Sequence, residues 1–267
     1  MISAVLKKYF AVFSIAFKAS IYFRNRILAQ ALVQIFRITI LMLVYSFVYS
    51  QVNVNSDVTL QVAVWSIAAY FCVLSIRFKN LFNDINFDIK SGNIEVILSR
   101  PLNYLGYRIV NQLGSDINSF FLPVLASFII LPIAIGFPEL ALTIPYLFGV
   151  LFIVILGLLV GALLYSLVGL AAFWLEDATP VYWIIDKGVL LLGGSYLPIA
   201  FYPEFMKLLV YYSPFGASMF VSHIFYSDFM TKLPFLLLVQ LAWIVILLIV
   251  INIVYRKAYK QLTVNGG

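Results

Sequence analysis

Runs of apolar residues of about 20, the length that crosses a bilayer as a helix, recur near 28–49, 60–78, 117–137, 144–173, 181–200 and 234–254. They predict six transmembrane helices, the fourth long enough to tilt. Ahead of the first run, Ile2, Val5, Leu6, Tyr9, Phe13, Ala16, Phe17 and Ile21 return every three or four positions, with Lys7, Ser14 and Lys18 opposite. That spacing predicts an amphipathic interface helix over 1–26, lying in the membrane surface. A plain anchor that orients the first span would show the same pattern.

Two other segments break the rhythm. Residues 79–104 are polar and punctuated by Gly92 and Pro101, yet keep Phe82, Ile85, Phe87, Ile89, Ile94, Val96, Ile97 and Leu98. The stretch is too long for a tight turn and too apolar for disorder, so a pair of short helices outside the lipid is expected. In 193–232, Gly193, Gly194, Pro198, Pro203, Pro214 and Gly216 cut the chain into apolar pieces of about 10–14 residues, the length of re-entrant or interfacial helices. The expected fold is all-α, a polytopic integral membrane protein with a single transmembrane domain over 1–267.

Composition agrees: 64% of the 267 residues are hydrophobic and 10% charged, against about 45–50% and 25% in soluble domains. A signal peptide is not expected, because the first strong apolar run begins after Arg24 and Arg26 and continues too long. The net charge of +6 would suit nucleic acid or anionic lipid. Its placement favours lipid and no nucleic acid. Lys7, Lys8, Lys18, Arg24 and Arg26 precede the first span, and Arg77, Lys79, Lys90, Arg100 and Arg108 follow the second. Arg256, Lys257 and Lys260 form the tail, and the other side carries only Lys207 and Lys232. Basic residues mark the cytoplasmic side, so both ends are expected there, with 193–232 external.

Polar positions inside the apolar runs are the candidates for interaction. Gln30, Gln34 and Arg37 follow i, i+4, i+7. They either line a protein interface or cavity, or the surface helix continues to Arg37 and its guanidinium snorkels to the headgroups. Asp186, about 9 Å into the fifth run, is a partner for Arg37 in a buried pair or reaches the headgroups with Lys187. Arg108, Gln112, Ser115 and Ser119 form a stripe that must face protein or water. Gly149, Gly157, Gly161 and Gly169 are spaced by multiples of four, as if on one face, and Gly157–Gly161 matches the small-residue packing pattern, within this chain or between subunits.

Catalytic chemistry is not expected. His223 has no second imidazole or Glu-x-x-His neighbour and reads as a solvated or interfacial histidine rather than a metal ligand. Cys72 is the one cysteine. Neither a Gly-x-Ser-x-Gly elbow nor a phosphate-binding Gly-x-x-x-x-Gly-Lys-Ser/Thr loop occurs.

Four stretches carry a family resemblance: "KKYFAVFSIAFKASIYFRNRIL" (7–28), "IKSGNIEVILSRPLNYLGY" (89–107), "FWLEDATPVYWIIDKGVLLLGGSYLPIAFYPEFMKLLVYYSPF" (173–215) and "YRKAYKQLTVNGG" (255–267). In order and placement they resemble the membrane-spanning permease of a type-2 ATP-binding-cassette exporter, of the small, separately encoded, six-span branch. The resemblance implies a bacterial inner-membrane location, a second permease subunit (alike or different) and cytoplasmic ATPase subunits that bind the ATP and Mg, none being bound by this chain. It makes 79–104 the coupling loop, with Ile89, Lys90, Gly92, Ile94, Glu95, Leu98 and Arg100 docking the ATPase; Ile89, Ile94 and Leu98 would be the hydrophobic anchor. It also sets the first and fifth spans, with Gln30, Gln34, Arg37 and Asp186, beside the transport pathway. A self-sufficient secondary transporter or channel is the alternative, although no repeat relates 28–137 to 144–254.

Overall fold

A computed structural model describes residues 2–22, 24–51, 58–99, 101–140, 142–195 and 197–265, without the side chains of 2–4, 24, 26, 27, 30, 200 and 259–265. Among the described residues there is no strand. The helices are α1 (Ile2–Tyr22), α2 (Arg24–Gln51), α3 (Leu60–Leu74), α4 (Phe78–Lys90), α5 (Asn93–Leu98), α6 (Tyr104–Ile135), α7 (Ile144–Leu170), α8 (Thr179–Leu192), α9 (Glu204–Tyr212), α10 (Pro214–Ala217) and α11 (Phe229–Asn265). Side-chain caps set several starts: Thr59, Asn103, Thr143 and Ser213 each accept from a backbone N–H in the first turn of α3, α6, α7 and α10. Gly136, at φ 80°, ends α6, and its carbonyl takes the Trp65 indole N–H at 3.0 Å.

Ala31–Gln51, Leu60–Lys90, Tyr104–Ile135, Ile144–Phe173 and Phe229–Ala258 are long and apolar enough to cross a membrane. The expected fifth span, 181–200, is only partly helical. α8 stops at Leu192, and its 14 residues reach about 21 Å. Gly194 turns the chain out of the helix at φ 80°, and Gly193 before it packs so closely that an added Cβ would stand 2.6 Å from the Tyr70 ring. The second span differs too. α3 ends at Leu74, a turn through Ser75, Ile76 and Arg77 follows, and α4 continues to Lys90.

Contacts fix the helix directions. Trp65 meets Phe128, Cys72 meets Ser127 and Arg77 meets Asp116, so α3 and α4 run antiparallel to α6. Phe78 stacks on Tyr165 of α7, and Ile85 meets Gly169, so α4 and α7 run parallel. α7 and α11 are also parallel, with Leu233 at Gly149 and Gln240 donating to the Ile153 carbonyl. The start of α1, the α4–α5 pair, the C-terminal end of α7 and the far part of α11 therefore share one end of the bundle, while α9 lies toward the other.

The core is continuous from Ile38 on α2 through α3, α4, α6 and α7 to Ile251 on α11. The outer faces of α2, α6, α7 and α11 keep large apolar side chains exposed, among them Phe36, Phe47, Ile133, Phe148, Leu238 and Ile249. Such a surface suits hydrocarbon.

Helix α1 packs along α6. Tyr9 sits at Gly106, Phe13 and Ala16 at Gly114, and Ser20 accepts from Asn118 at 2.7 Å. The steps along the two helices are nearly equal, so α1 lies lengthwise against the first half of α6 and shares its tilt.

Candidate functional site

The turn between α3 and α4 is clamped by α6. Asp116, fully buried, accepts from the Arg77 backbone N–H at 3.0 Å and from its guanidinium at 2.9 Å. Gln112 donates to the Arg77 carbonyl at 3.2 Å and to Asp116. One turn of α6 earlier, Arg108 donates twice to Asp88 of α4 and lies 3.6 Å from Asp84, and the Tyr104 hydroxyl donates to Asp88 at 2.7 Å. The polar stripe of α6 thus faces protein, as lipid requires: its inner members grip α4 and the turn before it, whereas Ser115 bonds back to the Gln112 carbonyl.

Beyond this clamp α4 and α5 form a projecting pair. Gly92 adopts φ 73°, the left-handed conformation that glycine takes without Cβ strain, and reverses the chain between them. Lys90, Gly92 and Glu95 are exposed there, with Phe87 at 64% and Val96 at 58%. The expected anchor residues face the other way: Ile94 is 0% exposed, and Ile89 and Leu98 are partly buried against the core. The reason is helical phase, since a helix of six residues that packs Ile94 and Ile97 inward must turn Glu95 and Val96 outward. Arg100 lies outside the described residues, as does the side chain of Gln30.

Lys90 ties the pair to the α7–α8 connection by donating to the Leu175 carbonyl. That connection exposes Trp174, Leu175, Glu176 and Asp177. Asp177 accepts from the Thr179 N–H at 2.9 Å. Hydrogen bonding from Thr179, with Lys90 nearby, holds its carboxyl below the usual range. Sequence reading missed this neighbour, because only the contact of α4 with the end of α7 reveals it. Asp88 was missed as well. Its signal was an acidic residue in phase with Phe78, Leu81, Phe82 and Ile85 on the buried face of α4.

Two clefts flank the α3–α4 turn. One, of about 420 Å³, is lined by Ala29, Val33, Gln34, Arg37, Leu74, Ser75 and Arg77. The other, of about 220 Å³, includes Arg77, Lys79, Tyr165, Tyr182 and Asp186. The expected Arg37–Asp186 pair does not form, because Leu74 and Arg77 line both clefts and separate the two charges. Arg37 instead lies over the Phe71 ring at 4.6 Å. Asp186 accepts from the Tyr165 hydroxyl at 3.0 Å, with Lys187 at 3.7 Å. Gln34 is buried and donates to the Phe71 carbonyl.

The glycines of α7 lie on a winding stripe rather than one face. At 3.6 residues per turn, 20 residues accumulate about 200° beyond whole turns. Gly149 accordingly meets Leu233 of α11, Gly157 the Ser218 carbonyl and Gln240, Gly161 the Phe78 ring, and Gly169 Ile85. Gly157 and Gly161 therefore pack within this chain. His223 is not solvated: it is 2% exposed, with Tyr211, Phe220 and Tyr226 rings 5.3, 5.5 and 5.7 Å away. Burial pushes its pKa down to about 4, with Lys232 adding to the effect.

A bundle with lipid-suited walls, a clamped turn and a projecting helix pair is the arrangement to set against known families. Residues 32–266 match the family model described as "ABC-2 family transporter protein". No curated protein matches the chain. The matched stretch covers most of the sequence and every long apolar helix, so the chain belongs to the ABC-2 transporter family and is a multi-pass membrane permease of that family.

Proposed function

We propose that this permease is the membrane-embedded part of an exporter driven by separate ATPase subunits in the bacterial inner membrane. ATP and Mg sit on those subunits, and a second permease copy or homologue completes the pathway. The α4–α5 pair, the α7–α8 connection and both chain ends face the cytoplasm in this reading. The observation that carries it is the two-sidedness of the α4–α5 pair. Its outer surface offers apolar Phe87 and Val96 beside charged Lys90 and Glu95, the mixture of anchor and steering charge that protein contacts use. Its inner surface is fixed to α6 and α7 through Arg108, Asp88, Phe78 and Ile85. A push on the tip is thereby transmitted to membrane-crossing helices.

The test uses the tagged full chain expressed in its own cells. Phe87→Asp combined with Val96→Asp should abolish recovery of a soluble ATP-hydrolysing subunit with the permease while leaving membrane insertion and expression level unchanged. Undiminished co-purification and ATP turnover in the double variant would sink the docking assignment.

A further inference from the structure

The cleft of about 420 Å³ between α2 and the α3–α4 turn has the chemistry of a ligand site. Arg37 enters it with one face of its guanidinium against Phe71 and, among the described residues, no carboxylate paired to it. A guanidinium carries five N–H donors, so its edge is available to an acceptor that the protein does not supply. Across the cleft Arg77 is balanced by Asp116. The three charges thus leave one positive charge in excess. Of the remaining wall, Ala29, Val33 and Leu74 are apolar, the Gln34 amide N–H is given to the Phe71 carbonyl and the Ser75 hydroxyl to the Cys72 carbonyl.

Depth and surroundings define the ligand further. Arg37 lies six residues into the apolar stretch Ala31–Gln51, about 9 Å along the helix. An uncompensated cation there is unfavourable, and an anion brought to it removes the imbalance. Val33, 57% exposed, stands at the cleft, and Leu32, Phe36 and Ile40 continue an exposed apolar track along α2. A simple inorganic anion would use the guanidinium and leave that track unused. A neutral hydrophobe would do the reverse.

We propose that this cleft binds an amphiphile with an anionic head, phosphate or carboxylate, held at Arg37 and an acyl tail laid along α2. The ligand comes from the bilayer as an anionic lipid or from solution as a single-chain amphiphile, and the site does not depend on an ATPase partner.

The full chain is reconstituted in nanodiscs of equal phosphatidylglycerol and phosphatidylcholine, and retained lipid is measured by native mass spectrometry after detergent transfer. Phosphatidylglycerol should be retained in preference, and Arg37→Ala should lower its retention by about tenfold, the scale of a hydrogen bond to a charged group. Val33→Trp, placed at the exposed mouth and away from the core, should lower retention similarly, while Arg37→Lys should keep a good part of it. Retention of phosphatidylglycerol identifies a lipid as the source; occupancy by added dodecyl phosphate, with no phosphatidylglycerol retained, identifies a soluble amphiphile. The proposal is overturned if neither is held above phosphatidylcholine, or if both variants retain as much as the unaltered chain. It also falls if inorganic phosphate alone displaces the lipid, or if Arg37→Ala releases a second copy of the chain with lipid retention intact.

Discussion

Asp88 occupies a position on α4 that helical phase reserves for an apolar side chain, and it is tolerated because Tyr104 and Arg108 meet it there. Both donate to the same carboxylate oxygen, and the other has no hydrogen-bond partner among the described residues. Removing the carboxylate leaves Arg108, itself only 13% exposed, with Asp84 at 3.6 Å as its remaining counterion. Asp88→Ala should therefore cost about 3 kcal/mol, the lower part of the range for breaking a buried pair. Asp88→Asn, which keeps one acceptor oxygen, should cost less, and Asp84→Ala least; thermal unfolding in detergent orders the three. At His223 the issue is protonation. Its folded pKa of about 4 lies below the ordinary value near 6.5. The unfolded chain takes up a proton first as pH falls, so stability is lost between about 6.5 and 4 and levels off below. His223→Phe should flatten that part of the unfolding-versus-pH curve; an unchanged slope would assign it to other groups. Spacing alone marked the polar stripe of α6 as facing protein, but the partners of Arg108 and Gln112 lie 20 and 35 positions away. No local pattern specifies pairings at that range.

Among the helices, glycine sets how closely two backbones approach, and the cost of a methyl depends on what it meets. At Gly114 of α6 an added Cβ would lie 2.7 Å from the Phe13 carbonyl oxygen of α1, which moves only with its backbone. At Gly106 it would meet the Tyr9 hydroxyl at 2.8 Å, the far end of a side chain that can swing aside. Gly114→Ala should loosen α1, by about 1–3 kcal/mol as overpacking generally does, and raise amide hydrogen exchange across α1. Gly106→Ala should leave exchange there near the level of the unaltered chain. Helix existence was largely legible from apolar runs, and the short helices in 79–104 and 193–232 from their Gly and Pro punctuation. Helix ends were less so. The apolar run across 60–78 continues through Ser75–Arg77, where the turn is stabilised by Asp116 and Gln112 of another helix. The run across 181–200 hides the stop after Leu192, where Gly194 turns at φ 80° and the Ser195 and Tyr202 hydroxyls take the Leu190 and Leu191 carbonyls. The inward phase of Ile94 likewise depends on the core it packs against.

At the level of the molecule, the helix directions bring α1, the α4–α5 pair and the end of α7 to one side and α9 to the other. Cys72 is buried, which gives a quiet background for introduced cysteines. Under the proposed orientation, Ser91→Cys should resist a membrane-impermeant maleimide added outside intact cells and react once they are opened. Leu208→Cys, on an exposed position of α9, should react in both. The opposite pattern would place the α4–α5 pair outside and remove any route to a cytoplasmic ATPase. The abrupt stop of α8 bears on what the bilayer experiences. A helix of about 21 Å covers roughly two thirds of a hydrocarbon layer about 30 Å thick. Past its end Gly193 and Gly194 are buried in protein, and the Ser195 and Tyr202 hydroxyls donate to the Leu190 and Leu191 carbonyls, so the irregular backbone there is satisfied without water. Under the proposed orientation the outer third of this flank is packed loop and short helix rather than a continuous rod, so it can be remodelled without unwinding a membrane-crossing helix.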